Sequence, residues 1–231
     1  AECDAIALSA LWTLDPNGTG IYRPTNTASG EYSIAFGNGS NASGNRSMAM
    51  GDDSGASGYR STAIGTAASA QGDYSFAMGT STVANGAKST AMGNQTNASG
   101  DYSTAMGRYS IASGENSTAM GNGIASGYNS TAMGNSTASG YASIASGIHS
   151  TASGMFSFAM GGDSGSYAEG DYSFAFGQSY ASGEYSTAMG YSNASGKFSF
   201  AMGDGNATGD YSTATGNGTI ASDYASTVIG Q

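Results

Sequence analysis

Few side chains in this sequence could carry covalent or metal chemistry: there is one histidine, His149, and one cysteine, Cys3, in 231 residues. A serine or cysteine nucleophile needs a base within hydrogen-bond reach, and a zinc site needs three or four nitrogen or sulfur ligands. One imidazole and one thiol supply neither. The many serines therefore read as structural and the chain as no enzyme, with no catalytic residue, metal or cofactor expected. His149, in Ile148-His149-Ser150, reads as a surface turn residue. The thiol allows no internal disulfide and could at most cross-link two chains. Asp52-Asp53 and Asp163 are weak cation candidates, and the calcium-binding Gly-Gly-x-Gly-x-Asp nonapeptide is absent.

Binding chemistry is better represented. Two positions ahead of a recurring Ser hold Glu31, Asp73, Asp101, Glu115, Asp171, Glu184 and Asp210, and the position between holds Tyr32, Tyr74, Tyr102, Tyr172, Tyr185 and Tyr211, with Phe156 and Phe198. Tyrosine offers an amphipathic contact surface at low entropic cost, so this acidic edge could face a protein or a glycan. The alternative is that the tyrosines only stack on one another and shield the edge. The abundant Asn-x-Ser/Thr triplets follow from composition and acquire meaning only in a glycosylating host.

What positions these residues is a repeat. The Gly that closes Ser-x-Ala-x-Gly falls at Gly37, Gly51, Gly65, Gly79, Gly93, Gly107 and Gly121, every 14 residues, and continues to Gly230 in steps of 13, 14 and one of 16. Such a period is the signature of a solenoid. Steps of unequal length can be absorbed only in turns, and the 16-residue step from Gly161 to Gly177 predicts a local bulge there. Within each unit the motif occurs twice, as in Ser33-x-Ala35-x-Gly37 and Ser40-x-Ala42-x-Gly44. Each half is a short strand closed by a turn, and two halves make one coil, giving an all-β parallel β-roll of about 15 coils of 13–14 residues.

Alternation along a strand assigns the faces. Ser, Ala and Gly share one side, and a coil this short leaves room inside for nothing larger. The large side chains then stand outside: Phe36, Met50, Phe76, Met78, Met92, Met106, Met120, Met133, Met160, Phe176, Met189 and Met202. In the other half the outward residues are mostly Asn, Ser, Gly or Gln. A continuous apolar ladder of that kind is too large for a monomer to leave wet, so these residues are expected to form an oligomer interface. The inverse arrangement, Met and Phe inside a wider roll, is the alternative. A flat ice-binding ladder of Thr90, Thr104, Thr118 and Thr131 is disfavoured by the interleaved Met and Phe.

The charge balance narrows the partners. Sixteen acidic against six basic residues give a net charge of −10, which repels nucleic acid and anionic lipid. No run of 18 apolar residues is present, so no membrane insertion is expected. An Ala-Glu start is what signal-peptidase cleavage commonly leaves and points to secretion. Residues 1–27 stand outside the repeat, which occupies 28–231, and read as a cap over the first coil or a docking segment built on Ile6, Leu8, Leu11 and Trp12.

From Ala28 to Gly230 the recurring Ser-x-Ala-x-Gly units resemble the heads of trimeric autotransporter adhesins, the YadA-like group. That resemblance implies a left-handed parallel β-roll packed as a homotrimer, held outside a bacterial cell and exposed to extracellular-matrix or host-surface proteins or glycans. The heptad stalk and membrane-anchoring barrel of a full autotransporter are not in the sequence. The alternative is a structural subunit of an extracellular filament, polymerising head to tail as the N-terminal segment of one copy covers the uncapped last coil of the next.

Overall fold

The computed structural model describes residues 25–162 and 164–230 and, ahead of them, the strands Thr13–Leu14 and Ile21–Tyr22. Cys3, Ile6, Leu8, Leu11, Trp12 and Asp163, which carry the cross-linking, docking and part of the cation expectations, lie outside the described residues. Thr13–Leu14 pairs antiparallel with Ile21–Tyr22, and Ile21 pairs in parallel with Ile34 of the first long strand. All regular elements among the described residues are strands, and the fold is a parallel β-solenoid of about 14 turns. It divides into two units, Ala1–Ala112 and Ser113–Gln231.

In the first unit each coil has a five-residue strand and a two-residue strand, such as Phe76–Thr80 followed by Val83–Ala84. Successive coils pair in parallel and in register, so that Phe36, Met50, Ile64, Met78, Met92 and Met106 form one row. The interior is made of the alanines and serines of both halves. Ala35, Ala42, Ala77 and Ala84 are fully buried, as are Ser33, Ser40, Ser75 and Thr82. The inward assignment of Ser and Ala therefore holds, and the wider roll with Met and Phe inside is excluded.

Two rows of glycine set how closely the coils stack. A Cβ on Gly86 would overlap the carbonyl oxygen of Gly100, and one on Gly93 would overlap that of Gly107. Gly93 also has φ +125°, a conformation that side-chain-bearing residues rarely adopt.

The first turn of a coil is Gly-x-y-Ser, as in Gly72-Asp73-Tyr74-Ser75, closed by the Ser75 N–H donating to the Gly72 carbonyl at 3.1 Å, with Asp223 replacing the Gly in the last. Its third residue is left-handed although it is not glycine: Tyr32, Arg46, Arg60, Tyr74, Lys88 and Tyr102 have φ between 54° and 60°. Such a conformation costs roughly 1 kcal/mol or more in an L-residue. It is offset by a hydrogen bond that the turned N–H makes to the preceding coil: Tyr74 donates to the Tyr59 carbonyl at 2.7 Å, and Lys88 to that of Asp73 at 2.7 Å. The turns are thus stitched coil to coil just as the strands are.

The irregular steps fall, as expected, in a turn, and it is always the second one. In the first unit that turn has two residues, with the left-handed one again donating backwards, as Ser81 does to the Thr66 carbonyl at 2.8 Å. In the 13-residue coils of the second unit one residue is lost, and the strand can run through without a break, as in Thr131–Ala138. Where a 14-residue coil stacks on such a coil, the surplus residue is left unpaired. Asn135 pairs with Ile148 but Thr137 with Thr151, and Asp204 pairs with Asn217 but Asn206 with Ile220. His149 (φ 56°) and Gly218 (φ 66°) lie in these two bulges, and His149 is exposed, as a surface turn residue should be. The two extra residues of the 16-residue coil lie between Gly161 and Ser166, where the Gly165 N–H closes a turn on the Gly162 carbonyl at 3.1 Å.

The serine hydroxyls divide the same way. Most of those opening the long strand, such as Ser103, are buried without a hydrogen-bond partner, while Ser130 donates to the Gly127 carbonyl at 2.7 Å. Those following a one-residue turn reach carbonyls: the Ser192 Oγ lies 3.0 Å from the Met189 oxygen and 3.1 Å from the Ala201 oxygen.

Two paired substitutions check this architecture by urea denaturation. Gly93→Ala should cost about 3 kcal/mol or more through overlap and strain. Gly55→Ala, where an added Cβ meets nothing within 4 Å, should stay within about 0.5 kcal/mol of the parent. Ser192→Ala should lose about 1 kcal/mol with its hydrogen bond, while Ser103→Ala, which removes an unpaired buried oxygen, should be neutral or slightly stabilising.

Candidate interaction surface

Large side chains project from the long strands in two rows. In the first unit one row is Ile34, Met48, Thr62, Phe76, Thr90 and Thr104, and the other is Phe36, Met50, Ile64, Met78, Met92 and Met106. In the second unit Phe158, Phe174, Thr187 and Phe200 share one row, and Met160, Phe176, Met189 and Met202 the other. Pairing in register places like beside like, so the rings of Phe158 and Phe174 stack with centroids 5.0 Å apart and planes 4° from parallel. Neighbours along a row cover one another's flanks and leave the outer ends bare. Phe36, Met50, Phe76, Met92, Met106, Met120, Met133 and Met189 are half-buried, and Met78, Met160, Phe176 and Met202 are exposed, up to 45% for Phe176. In each unit this is an apolar strip that a single chain leaves in water. Thr90 and Thr104 share their row with Met48 and Phe76, so the threonines form no flat face of their own.

The tyrosine edge is built on the strained first turn. Tyr32, Tyr74, Tyr102, Tyr172, Tyr185 and Tyr211 are all exposed and all left-handed. In the second unit the rings form a continuous stack, Tyr128, Tyr141, Phe156, Tyr172, Tyr185, Phe198, Tyr211 and Tyr224, with centroids 4.7 to 5.5 Å apart. In the first unit cations alternate with tyrosines. Arg60 lies 5.2 Å from the ring centroid of Tyr59 and 5.7 Å from that of Tyr74, and Lys88 lies 4.6 Å from that of Tyr102.

Several acidic residues of this edge have a structural task. The Asp73, Asp101, Asp171 and Asp210 carboxylates accept from the backbone N–H groups of Tyr59, Ala87, Met155 and Lys197 in the preceding coil, at 2.8 to 2.9 Å. Each satisfies a turn donor that the ladder leaves over. Asp52, a cation candidate, accepts from the Asn38 Nδ2 at 2.9 Å. Glu184 instead pairs with Lys197 at 2.7 Å, and this hydrogen bond holds the lysine above its usual pKa of 10.5. Lys88 is likewise raised, chiefly by its hydrogen bond to the Tyr102 hydroxyl at 2.9 Å. Both contributions are complete below pH 10.5 and fade as the pH rises beyond it, so these contacts do not respond to pH near neutrality.

The short-strand face is less uniformly polar than its Asn, Ser, Gly and Gln residues suggest. Ile111 is exposed in the first unit, and Ile124, Tyr180 and Ile220 in the second. Beside the 16-residue coil, Tyr167, Tyr180 and Asn193 stand in register, and with Gln178, Tyr191 and Ser192 they line an open groove of about 320 Å³. The long step and the tyrosines at an outward short-strand position were its only traces in the sequence. Among the described residues no group of three or more His, Cys, Asp or Glu is placed to hold a metal, and no helix is long and apolar enough to cross a membrane.

A parallel solenoid with a core of Ser and Ala, two-residue first turns and outward apolar rows defines a narrow class of repeat protein. The YadA head domain repeat matches residues 28–54, 56–82, 84–110, 101–123, 124–137, 138–164, 177–193, 181–206 and 207–231, and the chain belongs to that family. No match is found among curated proteins.

Proposed function

We propose that the chain is an adhesin head held outside the cell, non-enzymatic, whose copies pack as a homotrimer through the Met and Phe rows. The observation that carries this reading is the bare apolar strip. The core is too thin to take in Met or Phe, yet Phe36, Met50, Phe76, Met78, Met92, Met106, Met120, Met133, Met160, Phe176, Met189 and Met202 recur on one side of the coils. Burying the exposed remainder of each side chain contributes on the order of 1 kcal/mol. Repeated along the rows, that is comparable to the cost of association, roughly 4 to 15 kcal/mol. The family supports the same reading, since YadA heads associate in threes. With this strip covered, the tyrosine edge and the short-strand face remain to contact a host-surface or matrix partner. An excess of acidic residues makes nucleic acid and anionic lipid poor candidates for that partner.

Met106→Glu and Met120→Glu place charge in the rows. Light scattering should find trimers for the parent chain and monomers, or no folded protein, for the double variant. A double variant that stays trimeric and equally stable would remove these residues from the interface. Met106→Leu and Met120→Leu, which keep the apolar surface, should remain trimeric and separate loss of assembly from loss of fold.

A further inference from the structure

The groove beside the 16-residue coil combines rings with amides on the short-strand face. Its volume, about 320 Å³, lies at the lower end of the range for small-ligand sites. Tyr180 is 39% exposed and Tyr191 70% exposed. Tyr167 stands beside Tyr180 with ring centroids 5.4 Å apart and planes tilted by 34°, so the two rings form a shallow angled floor. Gln178 and Asn193, both half-buried, offer amide donors and acceptors at its side, and Ser164 adds a hydroxyl. The Asn193 Oδ1 is buried and accepts no hydrogen bond within the chain, so rotating that amide to bring the oxygen to a ligand hydroxyl breaks no bond to it.

We propose that this groove binds a neutral oligosaccharide, with one sugar ring lying on the tyrosines and its hydroxyls held by Gln178 and Asn193. A sugar presents an apolar C–H face and a rim of hydroxyls that both donate and accept, which is what an aromatic floor with an amide rim complements. No Lys or Arg lines the groove to hold a carboxylate or sulfate, and Glu169 lies next to Tyr180, so an anionic glycan is disfavoured. A quaternary ammonium would use the rings but set the amide N–H donors against a cation. The groove opens on the short-strand side, away from the Met and Phe rows. It names a ligand class for the adhesin reading and rests on that reading for its biological setting, but the site is built from one chain.

The test uses the full chain titrated with cellotetraose, maltotetraose, mannotetraose and chitotetraose, followed by saturation-transfer NMR and calorimetry, with sialyllactose and tetramethylammonium chloride as competing chemistries. At least one of the four neutral sugars should bind. Tyr191→Ala, in an exposed turn, and Gln178→Ala should each weaken it by about tenfold with the circular dichroism unchanged. Sialyllactose should bind more weakly. Absence of binding by all four sugars, binding that survives Tyr180→Ala with Tyr191→Ala, or binding of tetramethylammonium in their place would each overturn the proposal. Light scattering on the same samples keeps the two readings apart: a trimer that binds no saccharide sinks the groove and leaves the adhesin head, whereas a monomer that binds one upholds the groove and removes the trimer.

Discussion

The approach of one coil's glycine to the next coil's carbonyl is the contact on which the rest depends. Gly86 against Gly100 and Gly93 against Gly107 leave no space for a Cβ, and they hold successive coils at strand-pairing distance on both sides of the roll. With two strands folded back to back over so few residues, the inside accepts Ala, Ser and a few Thr. Larger side chains are displaced outward, whatever their polarity, except at the ends of the stack, where Asn26 is buried against Ser40 and Val228 follows the inward Ala214. The apolar rows are therefore a product of coil size, and their exposure follows from what the interior cannot hold.

A core so small offers little hydrophobic stabilisation per residue, and cohesion shifts to the backbone. That shift explains why tyrosine, arginine and lysine tolerate left-handed turns. Only with the turn residue's N–H aimed along the stack does the ladder of hydrogen bonds continue through the corner, as from Tyr74 to Tyr59. The donor left over at the other turn residue is answered by an aspartate one coil further on, as Asp101 answers Ala87. Rings displayed from such corners lie about one strand spacing apart, which is why those of the second unit stack face to face or edge to face along the whole series.

Much of this was legible in the sequence because the period is short and the alternation strict. Ser-x-Ala-x-Gly assigned its Ser and Ala to the inside correctly, whereas the glycines that close the long strand, such as Gly93 and Gly107, lie exposed where the chain leaves the core. The uneven steps located the adjustable segments in turns. Three things were not legible. Most left-handed corners carry Tyr, Arg, Lys or Phe, and only Asn116 and Asn129 among the first turns show the Asn that usually marks such a conformation. The aspartates and glutamates at one turn position look equivalent, yet the shorter carboxylate reaches the neighbouring backbone while Glu184 pairs with Lys197. The groove depends on residues from three coils, Tyr167, Tyr180 and Asn193, which become neighbours only through register.

The serine and alanine interior also shapes how the fold responds to heat. The heat-capacity change on unfolding rises with newly wetted apolar area and falls with newly wetted polar area. A single chain outside the trimer, whose buried side chains are methyls and hydroxyls and whose methionines and phenylalanines are already partly wet, exposes mainly peptide groups when it opens. Its heat-capacity increment per residue should fall below the usual value of about 12–15 cal/mol/K. The curve of stability against temperature is then shallow, and the folded chain loses little stability across a broad range of temperatures.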